Sequence, residues 1–107
     1  MLKPVVDRLR TQNFLFKKLR EIQPKELGIR NRIRLFDALD LSGEYSALFV
    51  VAQKSRVLRK DVEKYEAILR KLETAVGHRF RYRMLMLDAP LCSKAKALFI
   101  ERGWRLV

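Results

Sequence analysis

The sequence predicts an α/β fold in which one mixed sheet of about four strands carries flanking helices, in the order α-β-β-α-β-α-β. Apolar residues recur at helical spacing over 58–76, which indicates an amphipathic helix packed on a sheet. Strands separated by helices favour parallel pairing, whereas a tight turn at 42–44 requires one antiparallel hairpin. The length of 107 residues predicts a single domain over residues 1–107.

The first predicted elements are a helix over residues 4–22 and a strand over residues 29–39. Pro4 suits a first helical turn, and Pro24 and Gly28 mark the exit from the helix. The apolar residues that fall near one face of this helix are Val5, Leu9, Phe16 and Leu19. The 29–39 segment alternates in polarity, as a strand does when one of its faces is buried.

The middle of the chain predicts a hairpin followed by a long helix. The turn at 42–44 leads into Tyr45–Ala52, a dense apolar run that suits a buried strand. The next helix carries one continuous apolar stripe, formed by Leu58, Val62, Tyr65, Leu69, Leu72 and Val76, and Gly77 ends it. On this helix Glu66 precedes Arg70 by four residues, which predicts an exposed ion pair.

The last part of the chain predicts a strand, a helix and a short final strand. Residues 79–87 form the strand, and Pro90 begins a helix that closes at Gly103. Trp104–Val107 can then add the last strand to the sheet.

The composition is typical of a compact, soluble, cytoplasmic protein. Hydrophobic residues make up 49% of the chain, with only four glycines and three prolines, which argues against disorder. Cys92 is the single cysteine, so no internal disulfide can form and the chain fits a reducing compartment. No apolar run approaches the ~20 residues that cross a bilayer, and Asp7 and Arg8 interrupt any signal peptide. We therefore expect no membrane partner.

The charge balance predicts a nucleic-acid partner, either DNA or RNA. The chain has 24 Lys and Arg against 12 Asp and Glu, a net charge of +12, and such a field attracts polyanions. Two segments place arginine at every second position: the first holds Arg30, Arg32 and Arg34, and the second Arg79, Arg81 and Arg83. If both are strands, each presents three guanidinium groups on one face. With Lys54 and Arg56 beside them, these residues are the predicted nucleic-acid-binding surface.

One segment combines an acidic residue, a short turn and an apolar strand that ends near a lysine. Asp40 precedes the turn, and the strand over Tyr45–Ala52 leads to Lys54. This arrangement resembles the core of the PD-(D/E)xK, or restriction-endonuclease-like, nuclease superfamily, in which an Asp and a Glu-x-Lys sit across a hairpin. The resemblance implies a restriction-endonuclease-like core, and the α-β-β-α-β order extends it over most of the chain.

The resemblance also implies the chemistry of a metal-dependent nuclease. Two carboxylates would hold Mg²⁺ against a phosphodiester, and a lysine would orient the attacking water and offset phosphate charge. Asp40 matches the first carboxylate, with Asp37 as a neighbouring substitute, and Lys54 matches the lysine. Asp40 and Lys54 are thus the candidate catalytic residues.

The chain departs from the family pattern at the second carboxylate. Ala52 occupies the position of the Glu, and an alanine methyl group cannot bind a metal. A carboxylate could instead come from Glu44 in the turn, or from the following helix, which offers Asp61, Glu63 and Glu66. Of these, we take Glu63 together with Asp40 as the candidate metal ligands.

Other chemistry-bearing residues are few. His78 is the only histidine, which excludes zinc sites of the His/Cys type, and its place after a helix end favours a role at the helix dipole. Cys92 lies near the start of the Pro90 helix, where a thiolate is stabilised, but no base accompanies it. The aromatic residues that could either stack on bases or pack in the core are Phe80, Tyr82 and Trp104.

The sequence leaves three functions open. The first is nucleic-acid binding on a nuclease-like α/β scaffold without catalysis, and the second is an Mg²⁺-dependent nuclease that uses Asp40 and Lys54. The third is an interaction module for an acidic protein partner. No cofactor is expected unless the nuclease alternative holds, and a homodimer is compatible with each function.

Overall fold

The computed structural model describes residues 3–11, 15–29 and 33–107 of the chain. The helices in these residues are α1 (Lys3–Thr11), α2 (Arg59–Val76) and α3 (Ser93–Glu101). The strands are β1 (Phe16–Ile22), β2 (Ile33–Asp40), β3 (Tyr45–Ala52), β4 (Tyr82–Asp88) and β5 (Trp104–Leu106), and a short 3-10 helix spans Pro24–Leu27.

The strands form one mixed sheet in the order β1-β2-β3-β4-β5. β2 pairs antiparallel with β1 and with β3, whereas β4 pairs parallel with β3 and with β5. The predicted α/β fold with a mixed sheet and flanking helices is confirmed. The sheet has five strands among the described residues instead of about four, because β1 lies where the sequence predicts helix.

The predicted helix over residues 4–22 is wrong in its second half. The helix ends at Thr11, and the edge strand β1 pairs with β2 with a register shift between Phe16 and Lys18. This irregularity brings Phe16 and Leu19, three residues apart, to the same face of the sheet, where a regular strand would alternate. Both residues therefore pack into one cluster with Val5 and Leu9 of α1. The bulge gives the partly buried residues of this strand the three-residue spacing that is typical of an amphipathic helix.

Helices cover both faces of the sheet. On one face, α2 and α3 bury a core that includes Leu35, Phe49 and Phe99, each with no exposed surface. On the other face, α1 packs over Phe36 and Leu48, which are equally buried. None of the helices in the described ranges is long and apolar enough to span a bilayer.

The predicted stripe of α2 is confirmed at its centre. Val62, Tyr65, Leu69 and Leu72 are all buried against the sheet and α3. The helix ends at Gly77 in a left-handed conformation with φ of +78°, which glycine adopts without strain. Glu66 is also buried on this side, so the predicted exposed pair with Arg70 is wrong.

The sheet has two chemically distinct ends. Because β3 and β4 are parallel and joined by α2, their carboxyl ends lie together with the first turns of α2 and α3. We call this the carboxyl end. The opposite end, which we call the turn end, holds the β2–β3 turn, the last turn of α2 and the start of β4.

Candidate nucleic-acid interface

Asp40 closes the β2–β3 turn. Its Oδ1 accepts hydrogen bonds from the backbone N–H of Glu44 at 2.9 Å, and from the hydroxyl and backbone N–H of Ser42 at 2.8 and 2.9 Å. The N–H of Glu44 and then the hydroxyl of Ser42 hold the pKa of the Asp40 carboxyl below its usual value. These bonds give Asp40 a structural role in the turn.

Lys54 lies at the opposite end of the hairpin from Asp40. Asp40 hydrogen-bonds to Glu44 just before β3 begins, whereas Lys54 follows Ala52, where β3 ends. Strand β3 alone spans roughly 25 Å at ~3.3 Å per residue. The predicted catalytic pair of Asp40 and Lys54 is therefore not brought together, and the hypothesis that they share one nuclease site is wrong.

The strand beside Lys54 offers no replacement carboxylate. The first described residues of β2, Ile33 and Arg34, pair in register with Val51 and Val50 near the carboxyl end. Neither side chain can bind Mg²⁺, and Ala52 cannot either. The described side chains on this part of the hairpin therefore do not fit the carboxylate pair of a metal-dependent nuclease.

The acidic residues at the carboxyl end do not form a metal site. Asp61 accepts the backbone N–H of Leu58 at 2.8 Å and so caps α2, while Glu63 and Asp88 are exposed. Glu63 lies near the start of α2, so it is remote from Asp40, and their predicted pairing as metal ligands is wrong. Within residues 3–11, 15–29 and 33–107, no three His, Cys, Asp or Glu side chains lie close enough to hold a metal ion.

The first turns of α2 and α3 lie side by side at the carboxyl end. The segments that follow β3 and β4 stay paired beyond the strands. Val57 N–H donates to the carbonyl of Pro90 at 2.8 Å, and Cys92 N–H donates to the carbonyl of Val57 at 3.1 Å. Helix N-termini carry unpaired N–H groups and a partial positive charge. Two of them facing the same way favour an anion at this end.

Basic side chains surround these two helix starts. Lys54 and Lys64 line the same cleft of about 510 Å³. Arg56 and Lys94 both act electrostatically on Cys92, at the start of α3. All four cations are exposed, and we call them the Lys54 cluster.

The thiol of Cys92 reports the electrostatics of this end. The backbone N–H groups of Ala95 and Lys94 lower the pKa of the Cys92 thiol, and the charges of Arg56 and Lys94 lower it further against a small opposing effect of burial. The shift agrees with a site that stabilises negative charge.

The first predicted arginine ribbon lies mostly outside the described residues, which include Arg34 but neither Arg30 nor Arg32. The Nε and Nη2 of Arg34 donate to Glu21 of β1 at 3.1 and 3.0 Å, and its guanidinium lies 5.2 Å from the centre of the Phe36 ring. Hydrogen bonding to Arg34 lowers the pKa of Glu21. Arg34 therefore joins two strands in an ion pair.

The second predicted ribbon does not form. β4 begins at Tyr82, so Arg79 and Arg81 precede the strand. Arg83 faces the helix layer, where its Nη1 lies 3.3 Å from Glu66 and 3.0 Å from the carbonyl of Arg102. All three arginines lie at the turn end, roughly 25 Å from Lys54 along the strands. Lys54 and Arg56 therefore do not lie beside this second ribbon, contrary to the prediction, whereas Arg34 of the first ribbon pairs with Val50 near the carboxyl end.

His78 has a structural role at the turn end. Its Nε2 lies 3.0 Å from Oδ2 of Asp37 and its Nδ1 3.1 Å from the carbonyl of Arg79, while its ring stacks on Tyr45 at 3.7 Å. Both ring nitrogens are engaged, so the ring ties the exit of α2 to β2 and β3.

Of the four cations in the Lys54 cluster, the sequence pattern singled out Lys54 and Arg56 but not Lys64 or Lys94. Lys64 lies one helical turn into α2, and Lys94 follows a strand that is distant in sequence. The available signal was the predicted parallel pairing across α2, because parallel strands place their carboxyl ends, and the residues after them, together.

No family model matches the sequence, and no curated protein matches it. A repair endonuclease from Pyrococcus abyssi shares the fold with a TM-score of 0.62 and 19% identity, over 99% of this chain and 43% of that chain. EndoMS in its apo form gives a TM-score of 0.55 and 17% identity, over 97% and 45%. EndoMS in complex with dsDNA gives a TM-score of 0.52 and 13% identity, over 96% of this chain and 42% of that chain.

These similarities confirm the restriction-endonuclease-like fold. The chain covers 42–45% of the length of these proteins, so it corresponds to less than half of each. At such identities the likeness concerns the fold, and function has to be argued from the side chains.

Proposed function

We propose that the protein binds duplex DNA through the carboxyl end of its sheet and does not cleave it. The observation that carries the proposal is the Lys54 cluster around two adjacent helix N-termini, with no group of three or more His, Cys, Asp or Glu side chains placed to hold a metal among the described residues. Cations and helix starts supply what a phosphate backbone requires.

The electrostatics favour a polyanion over a single small anion. The cluster residues belong to three different segments, namely the loop after β3, α2 and α3, so they are spread along the end of the sheet. A net charge of +12 adds a long-range attraction that steers a polyanion towards the protein. Each phosphate contact releases counterions, which makes the affinity strongly dependent on salt.

The choice of duplex DNA rests on the fold. A structural neighbour, EndoMS, has been observed in complex with dsDNA, and another neighbour is a repair endonuclease. The fold of this chain is thus shared with part of a protein that has been observed with a duplex, and we infer that the cations at the carboxyl end of the sheet contact such a duplex. The shared fold and the position of the Lys54 cluster together support DNA binding by this chain.

The proposal of no cleavage rests on the replaced carboxylates. Ala52 occupies the position at which the nuclease pattern has Glu. The described part of β2 begins with Ile33 and Arg34, neither of which is a carboxylate. The carboxylate of Asp40 is hydrogen-bonded in the distant β2–β3 turn. Lys54 then lacks a metal-bound phosphate to act on, and its charge serves binding alone.

Fluorescence anisotropy with a labelled 20-base-pair duplex tests binding. We expect affinity to fall steeply between 50 and 200 mM salt, and the combined variant Lys54→Ala/Arg56→Ala to bind about tenfold more weakly with a salt slope smaller by one to two. Lys17→Ala/Lys18→Ala is the matched control, because it also removes two charges and both exposed residues lie on edge strand β1 near the turn end. Equal losses in the two variants would show that only overall charge matters and would overturn the proposal.

Plasmid cleavage tests the absence of catalysis. Supercoiled plasmid incubated with the protein and 5 mM Mg²⁺ or Mn²⁺ is expected to remain intact while the anisotropy assay shows binding. The control protein is Lys54→Ala, purified in parallel. Metal-dependent nicking by the wild type that is lost in this variant would establish the nuclease alternative instead.

A further inference from the structure

A second cleft lies at the turn end, on the face of the sheet that α1 partly covers. Its volume is about 560 Å³, within the range of small-molecule sites. The described residues that line it include Leu15, Asp40, Leu41, Ser46, Tyr82 and Arg105. None of them belongs to the Lys54 cluster, which lies at the other end of the sheet.

The rim of this cleft gathers large apolar side chains that are unusually exposed. Leu41 is 69% exposed, Leu15 56% and Tyr82 41%, and all three line the cleft. Single exposed apolar residues are ordinary, but a contiguous group around a concavity marks a binding surface.

Tyr82 is the aromatic residue that remains available for stacking. Of the three aromatic residues that the sequence singled out for stacking or packing, Phe80 is 8% exposed and Trp104 3%, so both belong to the core. Arg81 donates its Nε to the Tyr82 hydroxyl at 3.1 Å, with its guanidinium carbon 5.6 Å from the ring centre. The ring is therefore oriented by a neighbouring cation at the cleft.

The polar groups of the cleft suit a nucleobase and its phosphate. Ser46 is 2% exposed and lines the cleft with a hydroxyl that can donate or accept. The three hydrogen bonds to Asp40 all end on Oδ1, so Oδ2 keeps its acceptor capacity. Arg105 also lines the cleft. Arg81 adds a positive charge through its bond to Tyr82 and lies within electrostatic range of Asp40 and Glu44.

We infer that this cleft binds an unstacked base of single-stranded nucleic acid. The base stacks on the ring of Tyr82 and packs against Leu41. Ser46 and Asp40 contact its polar edge. Arg81 and Arg105 attract the neighbouring phosphates. Positively charged grooves with exposed aromatic rings are the usual means of binding single strands. This site is separate from the duplex-binding surface and extends the function to unpaired segments.

An acidic peptide is the competing occupant, and the cleft favours the base. A peptide carboxylate would be repelled by the ionised carboxylate of Asp40. A base instead presents amino groups, whose N–H groups can donate hydrogen bonds to that carboxylate. The flat phenol ring offers a base a stacking surface beyond simple apolar contact.

The test uses a labelled single-stranded octanucleotide of mixed sequence and an octamer of abasic sites with the same phosphates. Both are measured in the Lys54→Ala/Arg56→Ala background, which removes two of the four carboxyl-end cations, and every comparison is made within that background so that the result does not depend on the duplex proposal. We expect Tyr82→Ala to weaken binding of the base-containing strand about tenfold and Tyr82→Phe to leave it nearly unchanged. With Tyr82 in place, the abasic strand should bind as weakly as the base-containing strand binds to the Tyr82→Ala variant.

Leu41→Ser provides a second variant that does not threaten folding, because Leu41 is an exposed turn residue, and a loss of about threefold is expected. Equal binding of the abasic and base-containing strands, or unchanged binding in both Tyr82→Ala and Leu41→Ser, would overturn the inference. Displacement of the strand by an acidic peptide with no effect of base removal would assign the cleft to the competing occupant.

Discussion

Glu66 of α2 and Arg83 of β4 are joined beneath the helix layer, with Arg83 Nη1 3.3 Å from Glu66 Oε2. The second oxygen of Glu66 lies 3.6 Å from Nη1 of Arg102, just beyond α3. The Glu66 side chain is only 11% exposed, so a single carboxylate links the long helix, the sheet and the end of the last helix. Arg83 is thereby engaged in the fold, and the 37% of its side chain that stays exposed is held in place by this contact.

Glu66→Gln is expected to destabilise the protein by about 1–3 kcal/mol, because it leaves two guanidinium groups without their counter-charge in a partly buried site. Urea unfolding at pH 7 measures the change. The matched control is Glu63→Gln, on the exposed side of the same helix, which should change the free energy of unfolding by less than about 0.5 kcal/mol. Similar losses in both variants would contradict the tertiary role of Glu66.

The ion pair between Glu21 and Arg34 predicts an acid-dependent loss of stability. Hydrogen bonding to Arg34 lowers the pKa of Glu21 from 4.5, so its stabilisation is complete above 4.5 and is lost as the pH falls through the lower folded value. Glu21→Gln should cost about 0.5–1 kcal/mol at pH 7. The difference from wild type should shrink towards zero near pH 3.

Urea titrations at pH 7, 5 and 3 check this prediction, with Glu26→Gln as control. Glu26 is exposed in the 3-10 helix and forms no side-chain bond to another described residue, so its substitution should be nearly neutral at each pH. A Glu21→Gln penalty that persists unchanged at pH 3 would show that the carboxylate charge is not the cause.

The sequence was a reliable guide where local pattern and tertiary contact agree. The stripe of α2 buries Val62 and Leu72 as predicted, because an 18-residue amphipathic helix has only one face that can meet the sheet. Residues 16–22 show the opposite case. Their bulged pairing with β2 gives Phe16 and Leu19 a helical spacing, and only contacts distant in the sequence decide that this segment is a strand.

The candidate site was harder to predict, because it depends on which end of the sheet each residue reaches. Asp40 and Lys54 are fourteen positions apart in the printed sequence and fit a nuclease pattern, but the extended strand β3 between them places them at opposite ends of the sheet. Lys94 is far from Lys54 in sequence, yet parallel pairing of β3 with β4 brings their segments together. Register and strand direction decide both outcomes.

The environment of Cys92 predicts a thiol that reacts at a lower pH than an ordinary cysteine. Backbone N–H groups of Ala95 and Lys94 lower its pKa below the ordinary value of 9.0, with a further effect from Arg56. The rate of alkylation by iodoacetamide should therefore reach half its maximum at a lower pH in the folded protein than in 6 M urea. Arg56→Ala should move the folded midpoint upward. Equal midpoints in folded and unfolded protein would contradict the predicted shift.

Duplex DNA should protect this thiol if the carboxyl end is the binding surface. Cys92 immediately precedes α3 and lies within electrostatic range of Arg56 and Lys94. A phosphate backbone held by the Lys54 cluster would therefore block the approach of a reagent and oppose formation of the thiolate. A saturating duplex is expected to slow alkylation at pH 8 about tenfold or more, and 0.5 M salt should restore the rate by releasing the DNA. The Lys54→Ala/Arg56→Ala variant should show little protection at the same DNA concentration. Unprotected Cys92 in a wild-type complex that anisotropy shows to be saturated would place the DNA elsewhere on the protein, because no duplex seated at the start of α3 could leave that thiol open.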